Sequence, residues 1–362
     1  MIRLTRGIRS IGASRAAHLC FGAVVISAMV AVALPASASD PGTPAPAVVT
    51  PDPYNFSGPD AAVAVGSDLY IANSTGNTVT EVKVGNGRFL ASIGGAPFNF
   101  SGPTAITAVG NSIFVTNGTG DSVTEFTAGT NAFVQQISGV HDPIAMTVSS
   151  NVLYVLSSDA AVPADDAVTA VNPSIGQLIG VASGLQFAFD GPTAIAAVGA
   201  NLFVTNGASN SITEINAQTL AFVATVSGTN YQFDDPAGIA VQQSHLWITN
   251  EGASSVTEVS AINRKLIQVV VSGNLPTPGP IAHGDSYIFT ASPPGGSPMI
   301  SQIVPTTGVV TWMMCNTNAP YKFNNPQALV VADNRLWVVN EGGNSLTEMN
   351  ADTGALIGKV IS

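Results

Sequence analysis

Five asparagines each stand eight residues ahead of a glutamate: Asn73 and Glu81, Asn117 and Glu125, Asn206 and Glu214, Asn250 and Glu258, Asn340 and Glu348. Amide and carboxylate groups at a fixed spacing could ligate a cation or orient a substrate, and five copies could make a ligand ring. A catalytic centre, however, needs one asymmetric constellation, and five copies suit a repeated structural task. On that reading the Asn bonds its own turn and tolerates unusual backbone angles. The Glu then accepts hydrogen bonds from nearby backbone amides or hydroxyls. The same choice arises for the aromatic pairs Tyr54/Phe56, Phe98/Phe100, Phe187/Phe189, Tyr231/Phe233 and Tyr321/Phe323. They are either wedges inside the fold or an exposed rim for carbohydrate or a partner.

Residues that occur once are better candidates for chemistry. Beyond the N-terminal segment the histidines are His141, His245 and His283, at unrelated local positions, which disfavours a three-histidine metal site. His283, two residues from Asp285, is the best single candidate for chemistry in a central channel, with a satisfied structural histidine as the alternative. Asp165-Asp166 could touch Ca²⁺, but two adjacent acids do not supply a full oxygen cage, so no cofactor is expected. H-E-x-x-H, G-x-S-x-G and phosphate-binding glycine loops are missing from the sequence.

The elements that position these residues repeat. A proline recurs at Pro59, Pro103, Pro143, Pro192, Pro236, Pro280 and Pro326, with gaps of 40 to 49 residues. Each is followed by a small, apolar run, then a second apolar run ending in Asn in five units, a polar turn, a Ser/Thr-Val/Ile/Leu-Thr-Glu run in those five units, and a fourth apolar run. Short runs rich in Val, Ile, Thr and Phe, bounded by Gly, Asn, Asp and Pro, read as strands. Four strands per unit at a period in the forties predict an all-β, seven-bladed β-propeller with four antiparallel strands per blade. Helix should be scarce. The composition agrees: 46% hydrophobic with only 9% charged residues fits sheets buried on both faces. The Ala-rich first run belongs near the axis, and Trp247 and Trp337 in the second run belong where blades spread apart.

Phe233-Asp234-Asp235-Pro236-Ala237-Gly238-Ile239-Ala240-Val241 resembles the opening of an NHL-type repeat, and Tyr321-Lys322-Phe323-Asn324-Asn325-Pro326 is similar. The Val-Thr-Asn ending of the second run resembles the YVTN bacterial propellers. The resemblance covers about residues 46–362. It implies the propeller fold and admits binding domains, sensor ectodomains and a few lyases, with streptogramin-lyase-like propellers as distant relatives.

Units three and six break the pattern. Ser157 and Ala291 replace the Asn, and Ala170 and Gln302 replace the Glu. The spacing of eight grows to 13 and 11. The first insertion carries Asp159, Asp165 and Asp166, and the second reads Pro293-Pro294-Gly295-Gly296-Ser297-Pro298. On a seven-blade ring these loops lie nearly opposite each other, and they are expected to flank a binding surface on the face where the chain enters each blade.

Residues 1–38 read as a cleaved signal peptide: Arg3, Arg6, Arg9 and Arg15, an apolar segment over 21–34, and a small-x-small site at Ala36-Ser37-Ala38. They hold four of the 11 basic residues and none of the 22 acidic ones, so the remainder carries seven basic residues against 22 acidic. That balance argues against nucleic acid and against anionic lipid surfaces. Residues 39–52 contain Ala47-Val48-Val49-Thr50, which aligns with a fourth strand and is expected to clasp the last blade, although residues 355–361 could also supply that strand. The propeller itself is expected over 53–362. Cys315 is the single cysteine beyond the signal segment, so no intrachain disulfide is expected there. The expectation is a monomeric propeller, secreted or held in the cell envelope, with no membrane span after cleavage. It would act as a non-catalytic module for an extracellular protein or glycan. A lyase or hydrolase working in the axial channel and a structural envelope protein are the alternatives.

Overall fold

A computed structural model of the chain describes residues 53–159, 165–292, 298–315, 320–358 and 360–362. The expected signal peptide over 1–38, the expected clasp strand within 39–52, and the middle of both irregular loops lie outside the described residues.

The described chain forms seven sheets, each an antiparallel meander in sequence order. Six have four strands and the last has three. Blade four is representative, with strands Pro192–Val198, Asn201–Asn206, Ser211–Asn216 and Phe222–Val226. The repeating proline is the first residue of the first strand in six blades, where its missing N–H costs no ladder bond. In blade six the first strand is Ile281–His283, one residue after Pro280. Just past the proline the register shifts, as between Pro192 and Ala194. The displaced hydroxyl then binds the neighbouring blade: Thr193 donates to the Pro236 carbonyl at 2.7 Å, and Thr104 to the Pro143 carbonyl at 2.6 Å.

Burial follows distance from the axis. First strands are half-exposed because they line the channel, whereas second strands, in blade five His245–Asn250, are buried at every residue after the first. Trp247 and Trp337 are fully buried there. The aromatic pairs are wedges, each a parallel stack with ring centroids 5.3 to 5.7 Å apart, and one ring of each pair is buried. Phe100, for example, packs between Tyr70 of blade one and Phe126 of blade two.

The repeated Asn does bond its own hairpin, but through extended rather than unusual backbone: Asn117 has φ −111°. Its amide donates to the Ser and Thr of the third strand, as Asn206 does to Ser211 at 3.2 Å and Thr213 at 3.0 Å. That Thr in turn donates to the carbonyl of the first wedge aromatic: Thr213 to Phe187 at 2.8 Å, Thr257 to Tyr231 at 2.9 Å. The relay therefore fixes the loop that enters the blade. Thr213→Val removes both contacts in a buried site and is expected to cost about 1–2 kcal/mol, read as a lower urea midpoint; an unchanged midpoint would refute the relay.

Left-handed backbone belongs instead to the residue before the third strand in the five regular blades: Asn77, Asp121, Asn210, Ser254 and Asn344. These side chains accept from the loop entering the next blade: Asn77 from the Gly102 amide at 2.7 Å and Asn210 from the Asp235 amide at 2.7 Å. Asn344 of blade seven accepts from Gly58 of blade one at 2.9 Å. Together with a core that joins Ile71 to Trp337 and Val339, this contact closes the ring.

The repeated Glu accepts from a hydroxyl, as expected, in blade one, and elsewhere from side-chain amides and cations rather than backbone amides. Glu81 accepts from the Tyr70 hydroxyl and from Asn131 of the next blade. Glu214 accepts from Asn201 and from Arg264 of the next blade, and Glu348 from Arg335. Blade seven also departs from expectation at its fourth strand. The described residues of 355–361 meet the third strand through isolated bridges, Met349 with Leu356 and Leu346 with Ile361. Gly358, in the left-handed region at φ +69°, interrupts the extended run between them.

Candidate functional site

Strand direction assigns every charge to a face. The chain enters each blade on one face, and the turns between second and third strands open on that same face; the other two connections open on the opposite one. Among the described residues, the loops and strand starts entering the blades place Asp60, Asp142, Asp190, Asp234 and Asp235 on the first face. The turns between second and third strands add Asp121, Asp159, Asp165, Asp166, Glu251 and Glu341. Lys322 is the one described lysine or arginine with them, whereas Lys83, Arg88, Arg264, Lys265 and Arg335 lie on the opposite face or at its edge. The fold thus sorts a scattered acidic composition into one strongly negative face.

The centre of that face is the mouth of the axial channel. It is a cavity of about 610 Å³ bordered by first-strand residues such as Thr104, Ile144, Thr193 and Gly238, with Asp60 and Glu251 on its wall. Burial raises the pKa of Asp60 above the ordinary carboxylate value; a hydrogen bond from Ser74 opposes the shift and the Glu341 charge adds to it. Glu251 is raised by burial and then by the charge of Asp235. Glu341 accepts from Asn325 and Gln327, which orient its carboxylate beside the mouth. Deeper in, the channel wall is aliphatic, with Ala62, Val241, Ala282 and Leu329.

The residues singled out from sequence fall into separate places. Asp159, Asp165 and Asp166 are on the acidic face, in the blade-three loop. Asp166 is buried, and its carboxylate accepts from the Asp159 amide at 3.1 Å. This occupies the position that in other blades reaches to the next blade, so the loop is tied to itself. Burial raises the Asp166 pKa as well, with the Asp159 and Asp190 charges adding to it. His283 and Asp285 are on the opposite face and do not form a pair in one cavity. His283 ends a first strand and lines the channel, whereas Asp285 in the following turn lines two grooves between blades. The reason is geometric: two residues past the strand end, the chain has already turned away from the axis. His141 lies on the acidic face, 3.7 Å from the Asp121 carboxylate.

The mouth carboxylates were not marked by any motif. The signal that could have found them is positional: once four strands per unit are assigned, each acid can be given a face from the connection it sits in.

Asp60, Asp166, Glu251 and the buried Glu348 all have folded-state pKa values raised first by burial. The folded chain therefore binds protons more readily than the unfolded one. Their contribution favours folding below the ordinary carboxylate range and is lost as pH rises through the raised values. The melting temperature is expected to be higher at about pH 5 than at about pH 7.5; calorimetry showing the reverse order would contradict these assignments.

No family model matches the chain, and no curated protein matches it in sequence. Solved structures match in fold. Hydrazine synthase from Kuenenia stuttgartiensis aligns at a TM-score of 0.66 and 13% identity, over 82% of this chain and 97% of that one. Catalytically inactive virginiamycin B lyase from Staphylococcus aureus, solved with quinupristin, aligns at 0.65 and 11%, over 80% and 94%. The WD40 repeats of RRP9 align at 0.62 and 13%, over 78% and 87%. At such identities the likeness is one of fold: the chain is an all-β, seven-bladed propeller, an architecture shared by enzymes and WD40-repeat proteins alike.

Proposed function

We propose that this chain is an exported, non-catalytic binding propeller of the NHL/YVTN repeat type, which holds a lysine- or arginine-rich segment of an extracellular protein on its acidic face. The observation that carries this reading is the charge separation: eleven acidic side chains against one lysine on that face, among the described residues. Like charges kept together at the cost of raised carboxylate pKa values do not serve the stability of the fold. They do serve a cationic partner, whose arrival relieves the repulsion and whose approach the field accelerates. The irregular loops of blades three and six rise from the same face and would border the partner. In the alternative reading, a lyase or hydrolase, chemistry in the channel would fall to His283, which lines it among aliphatic side chains. Residues 1–38 would direct export and be removed.

The test is titration of the mature chain with an oligolysine peptide and with an oligoglutamate peptide of equal length. Saturable binding of the first alone is expected. Equal binding of both, or of neither, would refute the proposal.

A further inference from the structure

The opposite face carries a second feature, at the junction of blades five and six. Each turn between third and fourth strands holds a left-handed residue four positions past the third strand; it is glycine in four blades, and at two junctions its side chain reaches the preceding blade's Glu. Asn131, φ 54°, reaches Glu81 at 2.6 Å, and Arg264, φ 63°, reaches Glu214 at 2.5 Å. In blade six the corresponding residue is Gly308, φ 65°, so no side chain from that position extends toward Glu258. Glu258 is instead held within its own blade, by His245 Nδ1 at 2.5 Å and by Gln268 Nε2 at 2.6 Å. Blade three has the same glycine, Gly176, and there Gln135 holds Glu125 alike; what the junction of blades five and six adds is His245, which lines an open groove of about 600 Å³. The Glu258 side chain is 3% exposed, whereas that of His245 is 44% exposed.

The groove's chemistry is mixed at short range. A carboxylate bound at Nδ1 fixes the imidazole and leaves Nε2 for a ligand. Gln242 and Gln243 offer both donors and acceptors, Ser286 and Thr306 offer hydroxyls, and Asp285 accepts. Ile267 and Pro305 add apolar surface. An anion would be repelled by Asp285 and Glu258, and a purely apolar ligand would leave these polar groups without partners. A neutral ring with hydroxyls around its edge and C–H groups on its faces satisfies both kinds of surface. We propose that the groove between blades five and six is a saccharide-binding subsite, anchored by His245 Nε2 and the Asp285 carboxylate.

The probes are cellotetraose, maltotetraose and triacetylchitotriose, followed by the imidazole resonances of the mature chain in long-range proton–nitrogen spectra. At least one is expected to shift His245 while leaving His141 and His283 unmoved. Two variants then test the site: His245→Gln, and Gly308→Asn, which copies the Asn131 plug. At Gly308 the added Cβ meets the Gln268 Oε1 atom at 2.5 Å, so this variant also presses on the side chain whose Nε2 holds Glu258. A tenfold or greater loss of affinity in either variant that melts like the parent supports the subsite. No His245 shift with any of the three sugars, or unchanged affinity in both variants, overturns it.

Discussion

The triple replacement Asp60→Asn, Glu251→Gln and Glu341→Gln is expected to weaken oligolysine binding by about 100-fold, equivalent to about 2.7 kcal/mol, and to raise the melting temperature. Asp60 and Glu251 line the channel mouth and Glu341 stands beside it, accepting from Gln327, and partial burial of the first two strengthens their field beyond that of a fully exposed acid. A share of about 1 kcal/mol for each lost attraction is what a partly desolvated charge pair supplies. The substitutions keep side-chain shape. They also remove the repulsion of Asp60 with Glu341 and of Glu251 with Asp235, so the free protein gains stability as the complex loses it. Opposed changes in stability and binding separate this outcome from simple damage to the fold. Asp285→Asn with Asp333→Asn, on the far face, is the matched control and should leave oligolysine binding unchanged.

The second large effect concerns the ring itself. Arg264→Ala is expected to destabilise the chain by about 2–3 kcal/mol in urea unfolding. Arg264 crosses from blade five to Glu214 of blade four, whose side chain is only 1% exposed. Removing the cation leaves a buried carboxylate with the Asn201 amide at 2.8 Å as its remaining side-chain donor. The Arg264 side chain is 39% exposed, so water enters where it stood and the cost stays below the upper end for buried pairs. Adding Glu214→Gln should restore most of the loss, because the stranded charge disappears with it. Lys265→Ala, on the exposed neighbour, should change little. Equal losses from Arg264→Ala and Lys265→Ala would show that the bridge between blades is not what Glu214 contributes.

The fold was legible because its determinants are local and repeated. A proline at each strand start, a second apolar run closed by Asn, and a Thr-Glu pair in the third strand together specify one blade. They recur because every blade solves the same packing problem. The structural role of Asn206 and Glu214 could be read from their repetition. Their partners could not, since Arg264 and Asn131 come from the next blade and replace one another only in three dimensions. His283 and Asp285 looked like neighbours because they are two residues apart, and the turn that separates them is a property of the backbone path. The acidic mouth was hidden for the opposite reason. Asp60, Glu251 and Glu341 are far apart in sequence and share no motif, and only the ring brings them to one opening. The groove beside His245 was hidden likewise, because His245 and Asp285 come from different blades and only the ring lines one groove with both.

The central claim is that the face around the channel mouth holds a cationic segment by its charge, and the most direct measurement is the salt dependence of oligolysine affinity for the mature chain. The expected result is saturable binding whose affinity falls steadily as ionic strength rises from about 0.01 M to about 0.15 M, where the screening length shrinks from about 30 Å to about 8 Å. That slope should flatten in the triple variant of Asp60, Glu251 and Glu341. An affinity indifferent to salt, or a slope identical in parent and triple variant, would contradict the account.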